Sequence, residues 1–171
     1  MADNFKTLRC PACQKEMKKV FVPSEGVNVD ICLDGCGGIY FDTREFKYFD
    51  EQDENIEEIV KAAEGKTFAK VDESLPRTCP VCGARMVKNY ASVKKEVQID
   101  ECYSCGGKFL DHGELEKIRA QYATEEERSA DIMKEVYSTV GVEIKRLEAE
   151  NKELRAKRSW TKKLFDKMIY G

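Results

Sequence analysis

A small, metal-stabilised α+β fold, built from two similar units and a long C-terminal helix, is what this 171-residue sequence predicts. Three observations lead there. Eight cysteines fall into two sets of four that repeat in register. Short alternating apolar runs separate the pairs within each set. Helix-start signals follow each set, and the last one opens a run with 4-3 apolar spacing.

The cysteines are Cys10, Cys13, Cys32 and Cys36, then Cys79, Cys82, Cys102 and Cys105. The second set lies 69 residues after the first, or 70 at Cys102. Their surroundings repeat as well. Cys10-Pro11-Ala12-Cys13 matches Cys79-Pro80-Val81-Cys82, Met17 matches Met86, and Asp30-Ile31-Cys32 matches Asp100-Glu101-Cys102. Cys36-Gly37-Gly38-Ile39-Tyr40-Phe41-Asp42 matches Cys105-Gly106-Gly107-Lys108-Phe109-Leu110-Asp111. This is an internal duplication, with too few copies for a solenoid.

Four thiolates offered as two close pairs match the coordination of Zn²⁺, which takes four sulfurs at about 2.3 Å in a closed tetrahedron. All eight cysteines are therefore read as metal ligands, two Zn²⁺ per chain. Rubredoxin-like iron also uses Cys-Pro-x-Cys-Gly pairs and remains an alternative. Thioredoxin-like redox chemistry needs one reactive pair beside a βαβ unit, a pattern this sequence lacks. Gln14 stands where the second copy has Gly83, and Cys32 and Cys36 are separated by three residues instead of two, so the first site is expected to be the more distorted. His112 is the only histidine. Because each set already has four cysteines, it is read as a polar residue of a first helical turn.

Between the pairs, Val27, Val29 and Ile31 alternate with polar residues, as do Val97 and Ile99. Val20-Phe21-Val22 and Tyr90 supply opposing strands, and Pro23-Ser24-Glu25-Gly26 reads as a turn. Two knuckles joined by such a hairpin describe a zinc ribbon. Sheets this short are not stable alone, so the metal is expected to supply much of the folding energy.

Asp42-Thr43-Arg44-Glu45 and Asp111-His112-Gly113-Glu114 read as capping boxes. Phe46, Phe49, Ile56, Val60 and Ala63 then suggest one helix ended by Gly65, and Leu115, Ile118 and Tyr122 a second. Each is expected to dock on its own ribbon. The acidic run Asp50-Glu51-Gln52-Asp53-Glu54 reads as a solvated helix face, and residues 66–78 as a linker. The resulting organisation is 1–49, first ribbon and start of its helix; 50–78, acidic helix and linker; 79–123, second ribbon with helix; and 124–171, C-terminal amphipathic helix.

At this point the residues resemble a known family. Cys-Pro-x-Cys, a hairpin, Cys-x-x-Cys-Gly-Gly, an aromatic and Leu-Asp-x-Gly-Glu-Leu resemble the transcription factor IIB-type zinc-finger family of small prokaryotic proteins. Cys79 to Leu115 fits closely. Cys10 to Phe46 departs at the extra residue before Cys36 and at Thr43-Arg44-Glu45-Phe46. The resemblance spans residues 9–49 and 78–119 and implies zinc-binding modules, which serve transcription, nucleic-acid binding or protein docking.

The fold class is thus two tandem four-cysteine zinc ribbons, each followed by a helix, with a long C-terminal helix capable of a short coiled coil. That helix opens at Thr124-Glu125-Glu126-Glu127. Met133, Tyr137, Val140, Ile144, Leu147, Asn151 and Leu154 then follow heptad spacing. Asn151 at an a position is typical of parallel two-stranded coils, and Glu150 could pair with Arg155 of a partner; Gly141 weakens the middle. A protein partner or a homodimer through residues 133–154 is expected. Beyond it, Trp160, Leu164, Phe165, Met168 and Ile169 lie among basic residues and suggest a docking end.

Composition bounds the function. Charged residues make up 36% and apolar residues 42%, which argues against one large core. With 29 Lys+Arg against 32 Asp+Glu the net charge is −3, excluding a uniformly basic nucleic-acid binder. Eight thiolates and two Zn²⁺ lower it by four more. Nucleic acid is the second choice of partner, resting on Arg77, Arg85, Lys88, Lys94, Lys95 and Tyr90. An enzyme or electron carrier is a distant third, since coordination by four thiolates leaves no open metal position. No apolar run spans a membrane, and Met1 to Lys6 lacks a secretory apolar stretch, so a cytoplasmic protein with reduced thiols is expected.

Overall fold

The computed structural model describes residues 6–170, with the side chains of 159–167 and 169–170 outside that description. The expected docking stripe at Trp160, Leu164, Phe165 and Ile169 falls on those side chains. The chain forms two compact units, residues 1–127 and 128–171.

In the first unit, β1 (Lys18–Val22) and β2 (Val27–Ile31) form the expected hairpin, closed by a Gly26 N–H to Val22 carbonyl bond of 2.9 Å. β3 (Ile39–Phe41) pairs with β2. The second copy repeats this with β4 (Val87–Tyr90), β5 (Gln98–Glu101) and β6 (Lys108–Leu110).

The sequence did not reveal how the ribbons meet. β3 pairs antiparallel with β6, placing Ile39 opposite Leu110, Tyr40 opposite Phe109 and Phe41 opposite Lys108. The two three-stranded halves thereby become one six-stranded sheet in the order β1-β2-β3-β6-β5-β4. The order reads as a pseudo-two-fold repeat about the Tyr40–Phe109 pair. Joining the two inner edges removes exposed strand edges that a three-stranded ribbon would leave in water.

Period-two alternation in β3 and β6 sorts side chains to two faces. On one, Ile31, Ile39, Phe41, Ile99 and Leu110 pack with Phe46, Phe49, Leu115 and Ile118. On the other, Tyr40 and Phe109 lie among Cys10, Cys32, Cys36, Cys79, Cys102, Met17 and Met86. Each face therefore carries a core drawn from both copies, instead of the separate small cores the composition suggested.

Helices frame this sheet. The helix expected from Phe46 to Ala63 is broken into a 3-10 turn at Phe46–Tyr48 and α1 (Glu57–Ala63). Between them, Glu51 N–H donates to Glu54 and Glu57 N–H to Asn55 Oδ1, so side chains take over the bonds a continuous helix would make. The acidic run is consequently turn, not helix face. It wraps Arg119 of α2 (Glu114–Arg119), whose guanidinium donates to the carbonyls of Phe49, Gln52 and Glu54 at 2.8–2.9 Å. The second copy's helix thus grips the first copy's loop, beyond its own ribbon.

Gly65, at φ 69°, follows α1 as expected. Asp42 N–H donates to Glu45 and Asp111 N–H to Glu114, at 2.8 and 2.7 Å, so the return half of both capping boxes is present. α3 (Glu125–Tyr170) opens with Glu127 N–H on Thr124 Oγ1 and Ala123 N–H on Glu127.

Candidate metal centres

Each knuckle turns its cysteines inward through a short backbone loop. Cys10 N–H bonds the Lys15 carbonyl and Gln14 N–H the Cys10 carbonyl; Cys79 N–H with Ala84, and Gly83 N–H with Cys79, repeat the pattern. Both loops need a left-handed residue, met by Gly83 at φ 74° and by Gln14 at φ 63°. Gln14 therefore adopts the glycine conformation despite its side chain.

The structure brings Cys10, Cys13, Cys32 and Cys36 into one group and Cys79, Cys82, Cys102 and Cys105 into another, each with all four sulfurs within 4.8 Å of one another. Cys10–Cys36 and Cys13–Cys32 Sγ separations are 3.4 and 3.3 Å; Cys79–Cys105 and Cys82–Cys102 are 3.5 and 3.4 Å. A tetrahedron of sulfurs about 2.3 Å from a central ion has edges of roughly 3.8 Å, so a small expansion of either cluster admits Zn²⁺. The expected distortion of the first site is not seen. The extra residue before Cys36 is absorbed at Gly35, whose Cα faces the Cys32 and Cys13 sulfurs so closely that a Cβ there would lie 2.6–2.7 Å from them.

Electrostatics favour a cation in both clusters. Hydrogen bonds from Cys10 and Cys36 hold the Cys32 thiol down at about 2, whereas Cys10 is driven up by Cys32, by Cys36 and by burial. Burial pushes Cys105 up to about 12 and also raises Cys102. Four adjacent sulfurs cannot all ionise without positive charge between them. Backbone N–H groups nevertheless point at the sulfurs as thiolates require: Ala12 and Cys13 at Cys10, Gly38 at Cys36, Ser104 and Cys105 at Cys102, and Gly107 at Cys105. Zn²⁺ resolves the conflict by supplying the charge.

The sites differ in cover. Cys10, Cys32 and Cys36 are buried and Cys13 half-buried, whereas Cys82 is exposed. At the second site the Ala84 N–H, ahead of Cys102, draws the Cys82 thiol down to about 7. His112 joins neither cluster; its ring packs against Phe68, with centroids 4.6 Å apart.

Sequence reasoning missed the residues that link the two centres. Tyr40 Oη lies 3.3 Å from Cys79 Sγ and 3.8 Å from Cys105 Sγ, so an aromatic of the first ribbon caps the metal site of the second. Reciprocally, Phe109 lies in the cluster that contains Cys10, Cys32 and Cys36. Both insertions need glycine: a Cβ on Gly107 would collide with the Tyr40 hydroxyl, and one on Gly38 with the Phe109 ring. The equivalence of Tyr40 and Phe109, and of Gly38 and Gly107, was visible in the repeat; its purpose was not.

A buried ion network adjoins the second centre. Arg77 donates to both Asp111 oxygens at 3.0 and 3.1 Å, and its Nε lies 3.8 Å from Asp100, with all three side chains nearly inaccessible. Lys88 pairs with Asp100 at 3.1 Å.

These features define a protein with two four-cysteine zinc-ribbon centres fused through one sheet. The transcription factor zinc-finger family, of the transcription factor IIB ribbon type, matches residues 9–48 and 78–121, so the chain carries two tandem zinc ribbons of this type. Neither a curated protein nor a solved structure matches the chain.

Proposed function

We propose that this protein is a non-catalytic, zinc-binding adaptor or regulatory protein, transcription-related by resemblance, whose fused ribbons form a rigid head and whose C-terminal helix docks a protein partner. One observation carries this reading. Along α3, Met133, Tyr137, Val140, Ile144, Leu147 and Leu154 form an apolar stripe and are each 46–68% exposed. A continuous apolar stripe left in water on a long helix is a docking face.

Each set of four cysteines fills a tetrahedral ion, leaving no position for a catalytic water or substrate. Reduced, metal-bound thiols suit a cytoplasmic setting, and no helix among the described residues is long and apolar enough to cross a membrane.

Nucleic-acid binding has less support. Of the basic residues near the second ribbon, Arg77 is buried with Asp111 and Lys88 pairs with Asp100. Lys94 lies over the Tyr122 ring and donates to the Gln121 carbonyl. Only Arg85 and Lys95 of that group are exposed, a thin footprint for phosphate.

The test is affinity recovery from the native host with zinc-loaded wild type and with Leu147→Glu, each with and without nuclease. Protein partners that survive nuclease and are lost with Leu147→Glu support the adaptor. Recovery that depends on DNA or RNA and ignores Leu147→Glu favours the alternative.

A further inference from the structure

We propose that the occupant of the α3 stripe is a second copy of this chain, docked antiparallel about a two-fold axis level with Val142. The proposal rests on the docking role of α3 and names its partner and orientation.

Heptad spacing places Ala130, Tyr137, Ile144 and Asn151 at a, and Met133, Val140, Leu147 and Leu154 at d. An antiparallel pairing centred on 142 sets Val140 against Ile144, Tyr137 against Leu147, Met133 against Asn151 and Ala130 against Leu154 of the second copy. The one polar seam residue then sits one layer from the end, beside small Ala130, where water reaches its amide.

The flanking charges choose the orientation. Aligned parallel and in register, Glu150 meets Arg155 of the second copy, but Glu143 meets Glu148, so attraction and repulsion cancel. Aligned antiparallel, Lys134 meets Glu148 twice, once on each side of the axis, against a single Glu143–Glu143 approach at the centre.

Intrahelical contacts sharpen the choice. Arg146 lies 3.7 Å from Glu143 and 3.2 Å from Glu150. This shields the one like-charged antiparallel contact and engages the glutamate that the parallel form needs. Lys134 and Glu148, the antiparallel partners, have no ion pair among the described residues. The parallel association that Asn151 suggested by residue type alone is thus outweighed by the pattern of charge around the seam.

The experiment is sedimentation equilibrium of the full-length, zinc-loaded chain at low salt, with Glu148→Lys, Lys134→Glu and the double swap. Glu148→Lys faces Lys134 in the antiparallel dimer and Glu143 in the parallel one, so the two orientations predict opposite signs. The expected result is a wild-type dimer, weakened about tenfold by either single change and restored to within about twofold by the double swap. Tighter association of Glu148→Lys overturns the proposal in favour of parallel pairing. A wild-type chain that stays monomeric to its solubility limit also overturns it, while leaving heterotypic docking by α3 to its own test with Leu147→Glu.

Discussion

Tyr40 of the first ribbon places its hydroxyl 3.3 Å from the sulfur of Cys79 in the second. The contact exists because β3 and β6 pair edge to edge and because Gly107 has no side chain to obstruct the ring. Gly107→Ala should therefore destabilise the zinc-loaded protein by about 1–3 kcal/mol through overpacking, and Gly38→Ala should do the same against Phe109. Chemical denaturation in excess zinc measures both. Wild-type stability in either variant would mean that the reciprocal aromatic insertions do not hold the ribbons together.

Arg77 is the counter-charge for two buried carboxylates, Asp100 and Asp111. Arg77→Met leaves both without it in a dry site, at a cost of about 3–5 kcal/mol. A loss below about 1 kcal/mol would show that Lys88, which also reaches Asp100, suffices to balance the charges.

Gln14 and Gly83 occupy the same left-handed position in the two knuckles, one with a Cβ and one without. Gln14→Gly should gain about 1 kcal/mol and Gly83→Gln should lose a similar amount. Zinc retention against a graded chelator reports the effect site by site. Equal retention in both variants would remove backbone strain as a difference between the sites.

Glu114 is nearly buried, and burial raises its carboxyl to about 7, with the Asp111 N–H opposing and the Asp111 and Glu73 charges adding. A carboxyl raised above its ordinary value of about 4.3 favours the folded state while protonated. That stabilisation is full below about pH 4 and is lost as pH rises through about 7. Between about pH 6 and pH 8.5, in excess zinc, Glu114→Gln should gain about 1.4 kcal/mol relative to wild type. Parallel pH profiles for the two proteins would show that Glu114 does not titrate in this range.

Metal chemistry was the most legible part of the chain because ligand type and spacing are local. Cys-x-x-Cys constrains its two sulfurs whatever surrounds it, and the 69-residue repeat places the second site from the first. The hairpin at Val20 to Ile31 was likewise written in alternation, and the bond from Asp111 N–H to Glu114 in the Asp-x-x-Glu spacing. But α2 starts only at Glu114, after Gly113, because the Asp111 carboxylate is taken by Arg77. The joining of β3 to β6 was not legible, since Ile39-Tyr40-Phe41 and Lys108-Phe109-Leu110 are too short to announce a partner. A shared core followed from that pairing and was hidden with it. The break between Phe46 and Glu57 was missed because apolar spacing continued through residues whose side chains, at Glu54 and Asn55, capture backbone N–H groups. Arg77 read as part of a basic surface, because a cation's burial depends on acids more than twenty residues away.

Two closed four-cysteine centres, one in each ribbon, define this protein, and native mass spectrometry of the purified chain tests for them most directly. The expected mass is that of the polypeptide with two Zn²⁺, falling to one when Cys36→Ser or Cys105→Ser disables a single centre. A wild-type chain carrying one ion, none, or iron in place of zinc would contradict two closed zinc centres.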